Sequence, residues 1–235
     1  MALTLVGTPT TATVTSSASS TIALPTGTAA GDLALIVHAG NQTDTAYVSG
    51  WTGVGLVAYS TSSEMRAQYH TVTSGDVAAT TFTIPGSPGF NEIRYVCWTF
   101  TDAATPSVDI SASDQANPST SPNTTHSMPS VTTTGADRIV VVATASRPQG
   151  TTWSSLPGGV TVDDSFIGSG IAMWSGHFAA ATAGATGAKT VTHDVAFAGY
   201  VSWTVAVAGA SASSAFPTFL LSSHTPFSPN YRGSR

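Results

Sequence analysis

The chain of 235 residues is almost without lysine: Lys189 stands alone beside six Arg, two Glu and ten Asp. Charged residues make up 8% of it, against ~25% in an ordinary soluble domain. A coiled coil needs Glu, Lys, Leu and Arg in quantity, and that shortage excludes it. Nucleic-acid binding is disfavoured, because seven scattered cations at net charge −5 build no basic footprint. A charged disordered tail is disfavoured in turn, since 41% hydrophobic content can fill a core. No apolar run reaches the ~18 residues that cross a membrane as a helix. Cys97 is the single cysteine, so no intrachain disulfide can form. The start, MALTLVG, has neither the basic flank nor the apolar core of a signal peptide, which leads us to expect cytoplasmic synthesis without export.

Enzyme signatures are missing as well. There is no G-x-S-x-G, H-E-x-x-H, P-loop or G-x-G-x-x-G. Glu64 and Glu92 are the only Glu residues, and no spacing singles out the two carboxylates that glycoside hydrolysis needs. None of the six His sits at metal-ligand spacing with Cys or Glu. They are expected to be single side chains bonded to turns or facing solvent. Asp163-Asp164 could seat a calcium ion in a loop, but not on a regular strand, where neighbouring side chains point apart. A solvated turn is the commoner role. The expectation is therefore no catalytic residue, no cofactor and no metal site.

What is abundant is Thr, Ala, Ser and Gly, together more than half of the chain. Runs rich in Val, Ile, Thr and aromatics recur at 33–37, 54–59, 69–72, 81–84, 95–100, 139–143, 171–178 and 201–207. That composition suits a pleated, half-buried surface, and Gly, Pro, Ser and Asp turns separate the runs. Leu33–Val37 is continuously apolar, as in a strand buried on both faces. No helix of ten residues is expected, and the Ala-rich segment 179–188, interrupted by Gly184 and Gly187, reads as a surface loop.

The string Tyr95-Val96-Cys97-Trp98-Thr99 returns as Tyr200-Val201-Ser202-Trp203-Thr204, 105 residues later. At the same offset Asp32 meets Asp137, Val37 meets Val142 and Tyr69 meets Trp174. In both copies Val and Trp are two apart, so they share one face of a strand, with Cys97 or Ser202 on the other. The reading is one all-β sandwich over residues 1–210, built of pseudo-repeats at about 31–101 and 136–206 facing each other. Residues 102–130, rich in Pro, Ser and Thr, are read as a linker with one short strand. Trp98 and Trp203 lie in apolar strands and belong to the core. Trp51 and Trp153 lie in loop-like surroundings near equivalent positions of the repeats, and are either contact residues for sugar or protein, or lids over the sandwich ends. Residues 211–235 form an extended C-terminal arm. Phe216, Phe219, Leu220, Leu221 and Phe227 are its apolar anchors, and Arg232 and Arg235 could meet acidic groups on a partner.

A likeness rests on Ala30–Leu35 (AGDLAL), Gly50-Trp51-Thr52, Tyr69–Asp76 (YHTVTSGD) and Thr81–Ile84 (TFTI). Over about residues 28–210 this pattern resembles small β-sandwich virion proteins of tailed bacteriophages, the minor tail, head-decoration and fibre-like proteins. The resemblance implies a jelly-roll-like sandwich and a particle component, often a homotrimer, and it supplies no active-site residues. The expected role is thus structural, in a virion assembled in the host cytoplasm, with other virion proteins held through the arm and a host-surface glycan as a further partner. The rival readings are a carbohydrate-binding module acting through Trp51 or Trp153, and a phage-borne glycan hydrolase.

Overall fold

The computed structural model describes residues 3–15, 17–41, 46–59, 63–86, 92–116, 123–147, 152–197 and 199–209. The C-terminal arm, with Phe216, Phe219, Leu220, Leu221, Phe227, Arg232 and Arg235, lies outside the described residues. The fold is all-β. Its first half runs β1 (Thr4–Leu5), β2 (Thr10–Val14), β3 (Ser20–Ala23), β4 (Leu33–Gly40), β5 (Thr52–Tyr59), β6 (Ser63–Thr71), helix α1 (Ser74–Ala79), β7 (Thr81–Ile84) and β8 (Ile93–Thr101). The second runs β9 (Ser107–Ala116), β10 (Asn123–Met128), β11 (Thr132–Thr133), β12 (Arg138–Ser146), β13 (Trp153–Ser154), β14 (Thr161–Ile167), β15 (Ala172–Ala180), β16 (Gly184–Ala185), β17 (Lys189–Phe197) and β18 (Tyr200–Ala208).

The two halves carry the same antiparallel strand order. In the first, the main sheet reads β8-β4-β6-β5, with β1 and β2 on the outer side of β8. In the second it reads β18-β12-β15-β14, with β9 on the outer side of β18. Each half adds a small sheet, β3-β7 in one and β10-β17-β13 in the other. Segment 102–130, read from the sequence as a linker with one short strand, instead carries β9 and β10, the opening strands of the second half. Its Ser- and Thr-rich composition hid them. Among the described residues the one helix is α1, six residues long and held by a capping box between Thr73 and Asp76.

The packing has four layers. Leu33, Leu35, Val37 and Ala39 of β4 face the second half, where they meet Ile139, Val141, Ala143 and Ala145 of β12 in a central core. The alternate residues Ala34 and Ile36 face the other way, into a core closed by Ile22, Phe82 and Ile84 of the β3-β7 sheet. Val140 and Val142 likewise turn outward to Met128 and Val191 of the other small sheet. This period-two division explains why β4 and β12 read as unbroken apolar runs. Each fully buried aliphatic side chain of this kind contributes ~1.5–3 kcal/mol. Each main sheet is thus covered on both sides, as the continuously apolar run Leu33–Val37 led us to expect.

Trp98 and Trp203 both enter the central core, from β8 and β18. Each also reaches across it. Trp98 Nε1 donates to Asp163 Oδ2 on β14 at 2.7 Å, and Trp203 Nε1 donates to the Met65 carbonyl on β6 at 3.2 Å. The Trp203 ring lies over Gly55, where an added Cβ would stand 2.7 Å from Cη2. A buried indole has no room to yield, so Gly55→Ala should cost ~1–3 kcal/mol, as overpacking does. Chemical denaturation checks this; a cost near zero would mean that the indole is free to move.

Candidate functional site

A cleft opens in the first half, at the end of the β3-β7 sheet. Residues 47–51 rise from the β4–β5 connection, His70 closes β6, Asp76 sits in α1, and Thr81, Phe82 and Thr83 belong to β7. Between them is a cleft of about 460 Å³, lined also by Ser19 and Pro85. Trp51 is half-buried in its wall. Its indole stacks on His70, with centroids 5.4 Å apart, and meets the Phe82 ring edge-on at 4.8 Å. Tyr47 lines the same wall and is backed by the Arg66 guanidinium 4.8 Å from its ring centre.

The polar group of the cleft is Asp76. Its Oδ2 accepts from the Thr73 amide at 2.8 Å and the Thr73 hydroxyl at 2.7 Å, and lies 2.9 Å from His70 Nε2. Burial pushes this carboxyl up. The hydrogen bonds from the Thr73 side chain and backbone and from His70, together with the His70 charge, outweigh that and hold it below the ordinary carboxylate range. The local reason is the capping box, in which Thr73 and Asp76 bond reciprocally at the start of α1. The string Thr73-Ser74-Gly75-Asp76 carries that signal in the sequence. What the sequence did not reveal is that β6 and β7 would bring His70 and Phe82 to the same place.

The second half treats its own loop tryptophan differently. Trp153 lies in β13, which pairs with β17 through Trp153↔His193 and Ser154↔Thr192. Its ring edge meets His126 and His193 at 5.2 and 4.7 Å, and its Nε1 donates to the Phe166 carbonyl at 3.3 Å. Trp153 is therefore stitched into the small sheet and its polar atom is in use. Trp51 has no such strand around it: among the described strands, β7 pairs with β3 alone.

Asp163 and Asp164 do not form a solvated turn. A bulge in β14 between Val162 and Asp164 puts two residues opposite one, so both carboxylates reach the same face of β8. Asp164 takes a two-point bond from Arg94, Nη2 to Oδ1 at 2.7 Å and Nε to Oδ2 at 2.9 Å. Asp163 accepts from Trp98 and lies 2.8 Å from His177 Nδ1. Further along that face, Glu92 Oε2 accepts from the Gly170 and Ile171 amides at 2.8 and 3.3 Å. The acids singled out for calcium thus join the two halves.

The histidines also depart from expectation. His38, His126 and His193 are buried rather than solvent-facing. His38 stacks on Tyr95 at 4.7 Å and His126 on Tyr200 at 4.4 Å, the two tyrosines that open the YVxWT strings. Among the described residues no group of three His, Cys, Asp or Glu is arranged to hold a metal ion. Compared with protein-family models, curated proteins and solved structures, the chain matches none of them.

Proposed function

We propose that this chain is a structural component of a virus particle of the tailed-bacteriophage kind, in its tail or on its head, a jelly-roll-like sandwich whose two halves arose by internal duplication. The observation that carries the reading is where the charges go. Arg66 pairs with Glu64, Arg94 with Asp164 and Arg138 with Asp109, all in partly buried settings. The Lys189 ammonium lies over the Phe178 ring. Charge is spent on internal bracing, and the strand faces turned to solvent are dominated by Thr, Ser and Ala. Copies of such a block crowd together with little mutual repulsion. The two continuous sheets, braced without a disulfide, suit a part that must be stiff and needs no oxidising compartment. Assembly, with a homotrimer as the expected unit, falls to the arm.

Particles purified from a producing host should contain the chain, with its density located by electron microscopy. A chain ending at Ala210 keeps every described strand, so it should unfold with the same midpoint as the full chain while failing to enter particles. Particles that lack the full-length chain would reject the reading. Normal incorporation of the truncated chain would reject the role of the arm.

A further inference from the structure

The two halves of the molecule provide an internal control. In the second half the connection before β14 becomes β13 and closes the edge of β17. In the first half the matching connection stands off from β7, and the gap between them is the Trp51 cleft. Its walls are chemically sorted. Tyr47, Trp51 and Phe82 supply aromatic surface, while Ser19, Ser49, Thr81 and Thr83 supply hydroxyls and Asp76 a carboxylate. Among the described residues the bonds from Thr73 and His70 to Asp76 all end on Oδ2, which leaves Oδ1 for another donor. Trp51 is held from two sides by His70 and Phe82, so little ordering is left to be done on binding.

We propose that the Trp51 cleft is a binding site for neutral saccharides. A pyranose ring has a face of C–H groups and a rim of hydroxyls. The face suits an aromatic wall, and the rim needs closely placed acceptors and donors in a cleft of this size. Neutral ligands are favoured because, among the described residues, no Lys or Arg lines the cleft to pair with an anionic glycan, and the His70 ring in its wall already faces Asp76, whose carboxylate meets a sialylated or uronic-acid glycan with a like charge. Hydroxyls donate to Asp76 Oδ1. The edge of β7 that faces away from β3 adds backbone groups. An extended peptide is a poorer occupant, because β7 is a four-residue strand and too short to direct strand addition. The site stands independently of the particle role.

The test uses the full chain and a panel of neutral mono- and disaccharides of glucose, galactose, mannose and N-acetylglucosamine, beside sialylated and uronic-acid glycans and an extended peptide. Saturation-transfer NMR and tryptophan fluorescence read the binding. At least one neutral sugar should bind, and Trp51→Ala should weaken it about tenfold, the worth of one aromatic contact. Thr83→Arg fills the cleft from its exposed rim and should abolish binding with the unfolding midpoint unchanged. Trp153→Ala should leave binding as it was. The proposal is overturned if no neutral sugar binds, if only charged glycans or the peptide bind, or if binding survives both cleft variants.

Discussion

Acidification from pH 6.5 to pH 4.5 should remove about 4–5 kcal/mol of folding stability, through buried histidines rather than through acids. Burial, helped by the Arg66 charge, takes His38 down to about 3. Burial, helped by His193, takes His126 down to about 3. His193 is lowered as well, again mainly by burial. In the unfolded chain these rings titrate near 6.5. Between that value and about 3 the unfolded chain takes up protons that the folded chain refuses. Their stabilising effect is therefore complete above pH 6.5 and is lost progressively as pH falls. Two such groups give a slope of about 2.7 kcal/mol per pH unit once both rings are charged in the unfolded state.

The geometry explains the refusal. Gln68 Oε1 accepts from the Val48 amide at 2.8 Å, so its amide nitrogen faces His38 Nδ1 at 3.3 Å. Nδ1 must then be the acceptor. A second proton there would point at a donor, on a side chain closed off from solvent. For His126, Thr144 spends its hydroxyl proton on the Val201 carbonyl and accepts from Nδ1 at 3.2 Å, which fixes the neutral ring as the Nδ1–H form. Urea unfolding across pH reads the slope. His38→Gln should flatten it by about 1.4 kcal/mol per unit. A midpoint constant from pH 7 to 4.5 would reject the mechanism. Below pH 4 the depressed Asp76 and Asp109 add to the loss with the same sign, because their bonds stabilise the fold only while they are ionised.

The sequence disclosed the inner layers and hid the outer ones, for a reason visible in particular strands. β4, β8, β12 and β18 bury both faces, so they appear as apolar runs. β10 (NTTHSM) and β14 (TVDDSFI) lie at edges or in the thin outer sheets, where one covered face of Thr, His and small residues suffices. β14 is further disguised by its bulge, which breaks the alternation a reader looks for and also lets Asp163 and Asp164 act together. The two YVxWT strings were legible because both strands, β8 and β18, send their Val and Trp into the core between the halves. The Trp51 site was half legible. Both loop tryptophans could be named, but their different fates turn on two residue pairs, those of β13 with β17. No local pattern marks so short a strand.

Those paired strings lead to the second large effect. Trp98→Ala should cost ~3–5 kcal/mol, the range for large aromatic deletions from a core, and should fall at its upper end. Two losses coincide at this position. The ring is wholly buried at the centre of the layer between the halves. Its N–H also serves Asp163, whose side chain is 3% exposed and would be left buried beside His177, its other partner among the described residues. Trp98→Phe separates the terms, because it keeps an aromatic ring and removes the donor; it should cost ~1–3 kcal/mol. Adding Asp163→Asn to Trp98→Phe should recover part of that cost, since the charge left behind is what makes the lost bond expensive. Trp203→Ala should lie in the same ~3–5 kcal/mol range, having no acid to strand but leaving a void over Gly55. Trp51→Ala, half-buried at the cleft wall, should cost clearly less than either. If Trp98→Ala and Trp51→Ala proved equally costly in equilibrium unfolding, the central layer would not be what holds the halves together.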